Sequence, residues 1–286
     1  MWILRLLSYL PLPALYAFSE LMAFLTYHVV RYRRNVVYKN LRNSFPEKTP
    51  HEIARLARDF YRDLCDYAVE TLKLMSLTEK EIKERMICAT PEIEQTLREE
   101  KGMLVYLTSH QFNWEWMLQA VVLNGKIDIH YVYQPQSSKF FDDFSNHLRQ
   151  RFGAKAVRRD QVGREAIRLR GTRYVLAILA DQFPGLDHDK RHWTSFLNQD
   201  TAFFAGSIAL AVRMKSKIYF FYSRKIQRGY YEYFILPMDQ PPYSTDEKGV
   251  ADLYAKALEK SIRTQPHNWL WSHNRWKRTR QEMGDA

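Results

Sequence analysis

Cysteine is nearly absent from this chain of 286 residues, which contains only Cys65 and Cys88. Two cysteines are too few for a disulfide scaffold, and neither belongs to a pair with metal-ligand spacing. This usage fits a reducing compartment, although a single disulfide between the two cysteines is the alternative. Internal repeats, low-complexity segments and linkers are also missing from the sequence. We therefore expect one main domain over residues 31–286, preceded by a short N-terminal segment over residues 1–30.

Charge is missing from most of the N-terminal segment, where residues 6–19 and 21–30 are uncharged and only Glu20 interrupts them. As a helix, residues 6–30 would extend roughly 37 Å, enough for a bilayer core. Pro11, Pro13 and Glu20 make this a poor spanning helix, and no small-residue cleavage site follows it. We predict an anchor lying in, or partly through, the inner leaflet. The alternative is an amphipathic helix packed on the protein's own core.

Basic residues outnumber acidic ones, 43 to 32, which gives a net charge of +11. Arg31, Arg33 and Arg34 follow the apolar segment at once and predict that this side stays cytoplasmic. The charge favours acidic partners: an anionic membrane surface, a phosphorylated lipid, an acidic carrier protein or nucleic acid. A basic soluble chain without such a partner is the alternative.

Apolar β-type runs alternate with helical patterns along the rest of the chain. We predict strands at 103–108, 127–132, 154–157, 174–179, 217–222 and 231–236, the last two joined by a hairpin at 227–229. Predicted helices include 112–123, 138–152, 201–214 and 250–264, and Thr49 before Pro50 marks the start of another. This alternation predicts an α/β fold with a mixed, mostly parallel sheet flanked by helices.

His110 follows the first of the long strands, in the segment SHQFNWEW. Of the nine histidines, only His110 has an acidic residue, Glu115, five positions later. Asn113 is placed to cap the helix that follows, and Trp114 and Trp116 to wall a site. An imidazole steadied by a carboxylate is the minimum equipment for activating a hydroxyl, provided that His110 lies in the turn before the helix. A core histidine and an unrelated surface glutamate are the alternative.

Asp181 and Gln182 end the predicted strand at 174–179 and precede Phe183-Pro184-Gly185. The carboxyl ends of parallel strands form the ligand face of such sheets, so Asp181 is expected to face the same cleft as His110. Three roles stay open for it: to orient the histidine, to bind the acceptor, or to cap a turn.

Two basic segments complete the candidate site. Arg149, Arg151, Arg158 and Arg159 offer guanidinium groups that suit phosphates or a phosphopantetheine arm, against the alternative of a solvated charged face. The C-terminal run 269–280, WLWSHNRWKRTR, interleaves aromatics with bases, as at a lipid headgroup interface or on a nucleic acid strand. Its alternative is a final strand that packs its tryptophans inward.

These segments together resemble a known family, the late (lauroyl/myristoyl) acyltransferases of lipid A biosynthesis, within the lysophospholipid acyltransferase-like superfamily. The order and spacing of the blocks carry the resemblance from about residue 30 onward. The blocks are NVVYKNLRNSFPEKTPHEIARL, SHQFNWEW, LRQRFGAKAVRR, LAILADQFPG, FLNQDTAFFAGSIALA and WLWSHNRWK.

The resemblance implies a glycerophosphate-acyltransferase-like fold with a membrane-associated N-terminal helix, at the cytoplasmic face of the inner membrane of a Gram-negative bacterium. It implies transfer of a fatty acyl chain from acyl carrier protein, or from acyl-CoA, to a hydroxyl of a phosphorylated lipid A precursor. His110 and Glu115 are then the catalytic pair, with Arg149, Arg151, Arg159, Asp181 and Gln182 as substrate-binding residues. No cofactor, metal or nucleic acid is implied.

Two rival functions stay open. One is an acyltransferase of the same superfamily that acts on a lysophospholipid or another glycolipid; such enzymes usually carry H-x4-D and an E-G-T-R-like block, which this chain lacks. The other is a basic membrane- or nucleic-acid-binding protein without catalysis, which leaves SHQFNWEW and ADQFPG unexplained.

Overall fold

The computed structural model describes residues 2–186 and 189–285 and alternates helices with strands. The helices are α1 (Trp2–Ser8), α2 (Leu12–Phe24), α3 (Arg34–Ser44), α4 (Pro50–Lys73), α5 (Glu79–Arg85), α6 (Pro91–Glu99), α7 (Trp114–Gly125), α8 (Lys139–Arg149), α9 (Val162–Arg168), α10 (Ala205–Arg213) and α11 (Glu247–Thr264). The strands are β1 (Met86–Cys88), β2 (Met103–Thr108), β3 (Asp128–Tyr133), β4 (Lys155–Arg158), β5 (Tyr174–Leu179), β6 (Arg191–Phe196), β7 (Gln199–Phe204), β8 (Lys217–Gln227) and β9 (Tyr230–Asp239).

Within the described residues, seven strands form one sheet in the order β1-β9-β8-β2-β5-β3-β4. The pairs β2–β5, β2–β8, β3–β5 and β3–β4 are parallel, and β9 runs antiparallel to β8. The predicted fold class, an α/β protein with a mixed and mostly parallel sheet flanked by helices, is confirmed. Since five neighbouring strands run the same way, their carboxyl ends meet at one edge of the sheet.

Local sequence signals explain where several helices begin. Thr49 accepts a hydrogen bond from the backbone of Glu52 while the Glu52 carboxylate bonds back to Thr49, which confirms the predicted start of α4 as a capping box. A second capping box at Thr78 opens α5 in the same way. Both caps satisfy backbone donors that the first helical turn leaves unpaired.

The predicted helix at 201–214 is wrong over its first turn. Residues Gln199–Phe204 form strand β7, which pairs antiparallel with β6 in a separate hairpin, and helix α10 begins only at Ala205. Leu197 and Asn198 connect the two strands with positive φ angles of 51° and 61°. Two consecutive left-handed residues make the tight turn whose twist matches paired strands, so the hairpin prevails over the helical pattern.

The N-terminal helices lie against the main domain along α4. Ser19 donates to Asp66 and Tyr16 donates to Glu70, at 2.5 Å and 2.8 Å. The opposite face of these helices exposes large apolar side chains, among them Leu6, Phe18 and Phe24. In the described part of the chain no single helix is long and apolar enough to cross a membrane. The pair Trp2–Ser8 and Leu12–Val29, bent by 111°, meets that criterion only jointly.

Candidate active site

His110 lies at the carboxyl edge of the sheet, in the turn between β2 and α7. Strand β2 is buried between β5 and β8, so the chain leaves the sheet at its centre. Asn113 accepts a hydrogen bond from the backbone of Trp116 and caps α7, as predicted. The turn residue Gln111 is held by a backbone bridge to Trp269. These contacts fix the imidazole ahead of the helix.

Asp181 holds the imidazole. Strand β5 lies beside β2, and the backbone of Ala180 donates to the carbonyl of Thr108 at 3.0 Å, so both chains leave the sheet side by side. The Nδ1 of His110 lies 2.7 Å from one oxygen of Asp181, and the His110 backbone N–H donates to the other oxygen at 2.8 Å. Of the three roles left open for Asp181, the structure shows the first: it orients the histidine.

The site stabilises the ionised form of the Asp181 carboxyl. Burial by itself raises the pKa of this carboxyl, but the facing imidazole and the donated hydrogen bonds lower it to about 2. One of those bonds comes from the indole Nε1 of Trp269, at 2.7 Å. A carboxylate that stays ionised keeps the proton of His110 on Nδ1 and leaves Nε2 with its lone pair.

Gln182 lies next to the other ring nitrogen of His110, Nε2. Its side-chain nitrogen lies 3.2 Å from Nε2 of His110, so an amide N–H points at the lone pair that a base would use. Sequence reasoning assigned Gln182 to substrate binding. The structure places it where a substrate hydroxyl would have to lie in order to be deprotonated.

Glu115 does not hold the imidazole, contrary to the predicted contact. Its two carboxylate oxygens accept from Arg149, with Nε at 3.0 and 3.1 Å, and one of them also accepts from the indole of Trp114. No hydrogen bond joins Glu115 to His110 in the described part of the chain. The physical reason is helical rotation: Glu115 lies in the first turn of α7 and faces α8, whereas Asp181 approaches along the sheet edge.

The pair of Glu115 and Arg149 is buried. Burial lowers the pKa of the Arg149 guanidinium, but the charge and hydrogen bonds of Glu115 outweigh this and raise it above its ordinary value. Arg149 was predicted to bind substrate, through phosphates or a phosphopantetheine arm; in the structure its guanidinium pairs with Glu115. Since a buried charge without a partner is costly, each member of the pair stabilises the other.

The C-terminal run packs its first tryptophans inward, as its alternative had it, but through turns and not as a final strand. Trp269 and Trp271 are buried, and the backbone of Leu270 donates to the carbonyl of His110 at 3.2 Å. Arg275 is fully buried over the ring of Phe203; burial lowers its pKa to about 10, while the charge of Asp181 acts in the opposite direction. Its contacts with the site were not predictable from the sequence, because Trp269 meets Asp181 from 88 residues away and Leu270 meets His110 from 160 residues away.

An apolar cavity opens beside the site, between the sheet and helix α7. It opens to solvent at its mouth, and its apolar lining includes Tyr106, Met117, Val121, Ile129, Leu179 and Phe221. The charged side chains in its lining are those of Glu115 and Arg149. Trp114 lines the cavity and also contacts His110, edge to face at 5.0 Å between ring centroids. Trp116 does not line the cavity; its indole donates to the backbone carbonyl of Glu70.

The remaining predicted arginines lie elsewhere around the site. Arg151 donates to the carbonyl of Leu74, and Arg159 pairs with Asp189 in the loop that follows Asp181. Arg158 pairs with Asp160 on the surface. Within residues 2–186 and 189–285, no group of three or more His, Cys, Asp or Glu side chains is placed to hold a metal ion.

Fold and site define a class of protein: an α/β scaffold with a mixed, mostly parallel sheet, at whose carboxyl edge a buried carboxylate contacts a histidine next to an apolar cavity. The family model described as bacterial lipid A biosynthesis acyltransferase matches residues 1–278, and the chain belongs to that family. The predicted family is thus confirmed, and with it an acyltransferase activity in lipid A biosynthesis. No match to a curated protein was found.

Proposed function

We propose that this enzyme transfers a fatty acyl chain from acyl carrier protein to a hydroxyl of a phosphorylated lipid A precursor, with His110 as the general base. The observation that carries this proposal is the 2.7 Å contact between Nδ1 of His110 and Asp181, next to an apolar cavity. The contact leaves the lone pair of a base on Nε2, which the Gln182 amide covers, and the apolar lining of the cavity suits a hydrocarbon chain.

The reaction is a direct transfer. The acceptor hydroxyl displaces the Gln182 amide from Nε2 of His110, which takes the hydroxyl proton as the oxygen attacks the thioester carbonyl of the donor. The carbon–sulfur bond then breaks, and the leaving thiolate takes the proton from the imidazolium. Asp181 holds Nδ1–H throughout and stabilises the imidazolium while it exists, as in a catalytic triad that lacks a protein nucleophile.

The apolar cavity is the proposed place of an acyl chain. Burial of a methylene group contributes roughly 0.8 kcal/mol, so a chain that fills the cavity gains both affinity and a fixed position for its carbonyl. Trp114, which lines the cavity and contacts the imidazole, would shape the passage from the chain to the reacting atoms. Glu115 and Arg149 set the polar border of that passage.

Charge and exposed apolar surface support the other parts of the proposal. The net charge of +11 favours an acidic carrier protein and a phosphorylated acceptor, with Arg151 and Arg159 as candidate phosphate contacts. The exposed side chains of α1 and α2, followed by Arg31, Arg33 and Arg34, support association with an anionic membrane on its cytoplasmic face.

Product mass is the test. The purified enzyme is incubated with a series of acyl carrier thioesters or acyl-CoA and with a tetra-acylated, phosphorylated disaccharide lipid, and in parallel with a lysophospholipid. We expect one added acyl chain on the disaccharide lipid, and His110→Gln is expected to lower the rate by at least about 100-fold. His192→Gln is the matched control, because His192 forms its own contact with Asp252 at 2.8 Å.

Near-normal turnover by His110→Gln would overturn the assigned base. Acylation of the lysophospholipid alone would overturn the assigned acceptor.

A further inference from the structure

Two adjacent phenylalanines, Phe140 and Phe141, are exposed at the start of α8. These residues are 46% and 56% exposed, while Leu148 at the other end of the helix is buried. Phe144, one turn on, lies over Phe140 at 6.5 Å between parallel rings and packs against the core. Two large exposed aromatics side by side form a patch rather than an isolated apolar residue, and such patches mark interaction surfaces.

The patch lies at the carboxyl edge of the sheet, where His110 also lies. Strand β3 is parallel to β5 and β2, so the loop that leads from Tyr133 to α8 leaves the sheet at the same edge. Between them, the loop after β5 exposes Leu186.

Helix α2 lies at the same edge on the opposite flank of His110. Strand β8 continues for six residues past Phe221, which pairs with Thr108 at the end of β2. At the tip of this extension, Arg228 donates to the carbonyl of Tyr16 in α2. Exposed apolar side chains therefore lie on both flanks of His110 along the strand order, Phe18 and Phe24 of α2 on one and Phe140–Phe141 on the other.

We infer that Phe140 and Phe141 insert into a lipid bilayer as a second membrane contact. Together with α2 they would set the carboxyl edge of the sheet, and with it His110, facing the lipid surface. The inference deepens the proposed function and rests on its membrane-bound substrate. The surface that covers the patch is then the boundary between lipid headgroups and acyl chains, into which Phe side chains at the end of an amphipathic helix insert.

The charges around the patch suit that position. Lys139 pairs with Asp143 at 2.8 Å, and Asp142 accepts from the backbone of Gln136, so the acidic side chains of this helical turn are already engaged. Arg158, at the carboxyl end of the adjoining strand β4, is likewise paired, with Asp160. The exposed phenylalanines, and not an excess of basic groups, are therefore what this end of α8 offers to a lipid surface.

Vesicle binding tests the inference, with Phe140→Ser/Phe141→Ser compared with Ile167→Ser. Ile167 is 73% exposed, more than either phenylalanine, but it lies near the end of α9, which returns to the amino edge of the sheet where β5 begins. On vesicles of phosphatidylethanolamine and phosphatidylglycerol we expect the double variant to partition about tenfold more weakly and Ile167→Ser to partition like the wild type.

A second measurement avoids dependence on the stability of the double variant. An environment-sensitive fluorophore is attached at Phe141→Cys or at Ile167→Cys, both in a Cys88→Ser background. Quenching by nitroxide-labelled lipid at position 141 and its absence at position 167 would support insertion. Equal partitioning of all variants together with an unquenched label at 141 would overturn it, as would a change confined to oligomeric state in sedimentation velocity.

Acyl transfer separates this inference from the proposed function. With acceptor in vesicles the double variant should lose activity in parallel with its binding, whereas with acceptor in detergent micelles it should match the wild type. A wild-type protein that inserts Phe141 but transfers no acyl chain would refute the function alone. A wild-type protein that transfers acyl chains while the label stays in water would refute the inference alone.

Discussion

Asp181 decides what His110 can do, because it contacts both the ring and the backbone of the histidine. Asp181→Asn keeps the shape but removes the charge that fixes the tautomer and stabilises an imidazolium. We expect the rate of acyl transfer to fall by about 1,000-fold or more with little change in KM. Asp252→Asn, in the separate pair with His192, is the control for loss of a carboxylate. A rate within a few-fold of wild type would show that Asp181 is not the positioning residue.

The buried ion pair of Glu115 and Arg149 allows a prediction about stability. Glu115→Gln leaves the guanidinium buried without its countercharge, and we expect it to lower the free energy of unfolding by about 3–5 kcal/mol. Glu115→Leu/Arg149→Met removes both charges and should recover most of that loss. Urea unfolding measures both variants.

Activity of the double variant then tests the role of Glu115 in catalysis. If Glu115 acts through Arg149 and the cavity border, transfer by the double variant should fall far less than in Asp181→Asn. A loss as large as that of His110→Gln, in a protein that is folded, would restore Glu115 to the catalytic pair.

At the scale of elements, Glu70 joins four parts of the fold. It lies on α4 and accepts hydrogen bonds from Tyr16 on α2, Asn113 at the cap of α7 and Tyr231 on β9. Burial raises its pKa from 4.5 to about 7, although the donated hydrogen bonds and the charge of Lys225 work to lower it. The carboxyl is therefore a buried junction whose protonation state affects how these elements hold together.

The raised pKa of Glu70 gives a pH dependence with a defined sign. Between pH 4.5 and about 7 the folded chain binds more protons at Glu70 than the unfolded chain does, so stability falls as the pH rises through this interval and levels off above it. The contribution amounts to about 3 kcal/mol. Glu70→Gln should flatten this part of the stability curve, measured by urea unfolding across pH. Glu92→Gln, at an exposed position on α6, should leave it unchanged.

The cavity between the sheet and α7 predicts a dependence on acyl length. Ala177, on β5 beside Tyr106 and Tyr131, lines it, and Ala177→Phe would fill part of its space. We expect transfer of long chains to fall about tenfold more than transfer of short chains, because a phenyl ring displaces several methylenes at roughly 0.8 kcal/mol each. A series of acyl carrier donors measures this, with the short donors as internal control. Equal loss at every length would place the chain elsewhere.

For the whole molecule, the charge of +11 predicts a salt-dependent encounter with the donor. Screening weakens attraction between exposed charges, so KM for the acidic acyl carrier protein should rise several-fold from low to physiological ionic strength. KM for a neutral acyl-pantetheine thioester should stay constant over the same range. An equal rise of KM with ionic strength for the two donors would argue against electrostatic recognition of the carrier.

The local content of the fold was predictable, and the hairpin β6–β7 marks where prediction failed. Buried strands such as β2 and β5 have continuous apolar runs, and Thr49 and Asn113 cap helices through contacts three residues away. The residues 201–204 share an apolar pattern with the helix that follows them. Only pairing with β6 made them a strand, and such pairing has no signal within the segment itself.

The sequence by itself determined that a histidine follows one buried strand and an aspartate another, and that both belong to an α/β sheet of this family. The tertiary structure alone decided which carboxylate meets the imidazole. Glu115 is five residues from His110 and turns away with its helix, whereas Asp181 is 71 residues away and arrives because β5 lies next to β2. Spacing along a chain fixes direction only within one element; strand order is set by the packing of the whole core.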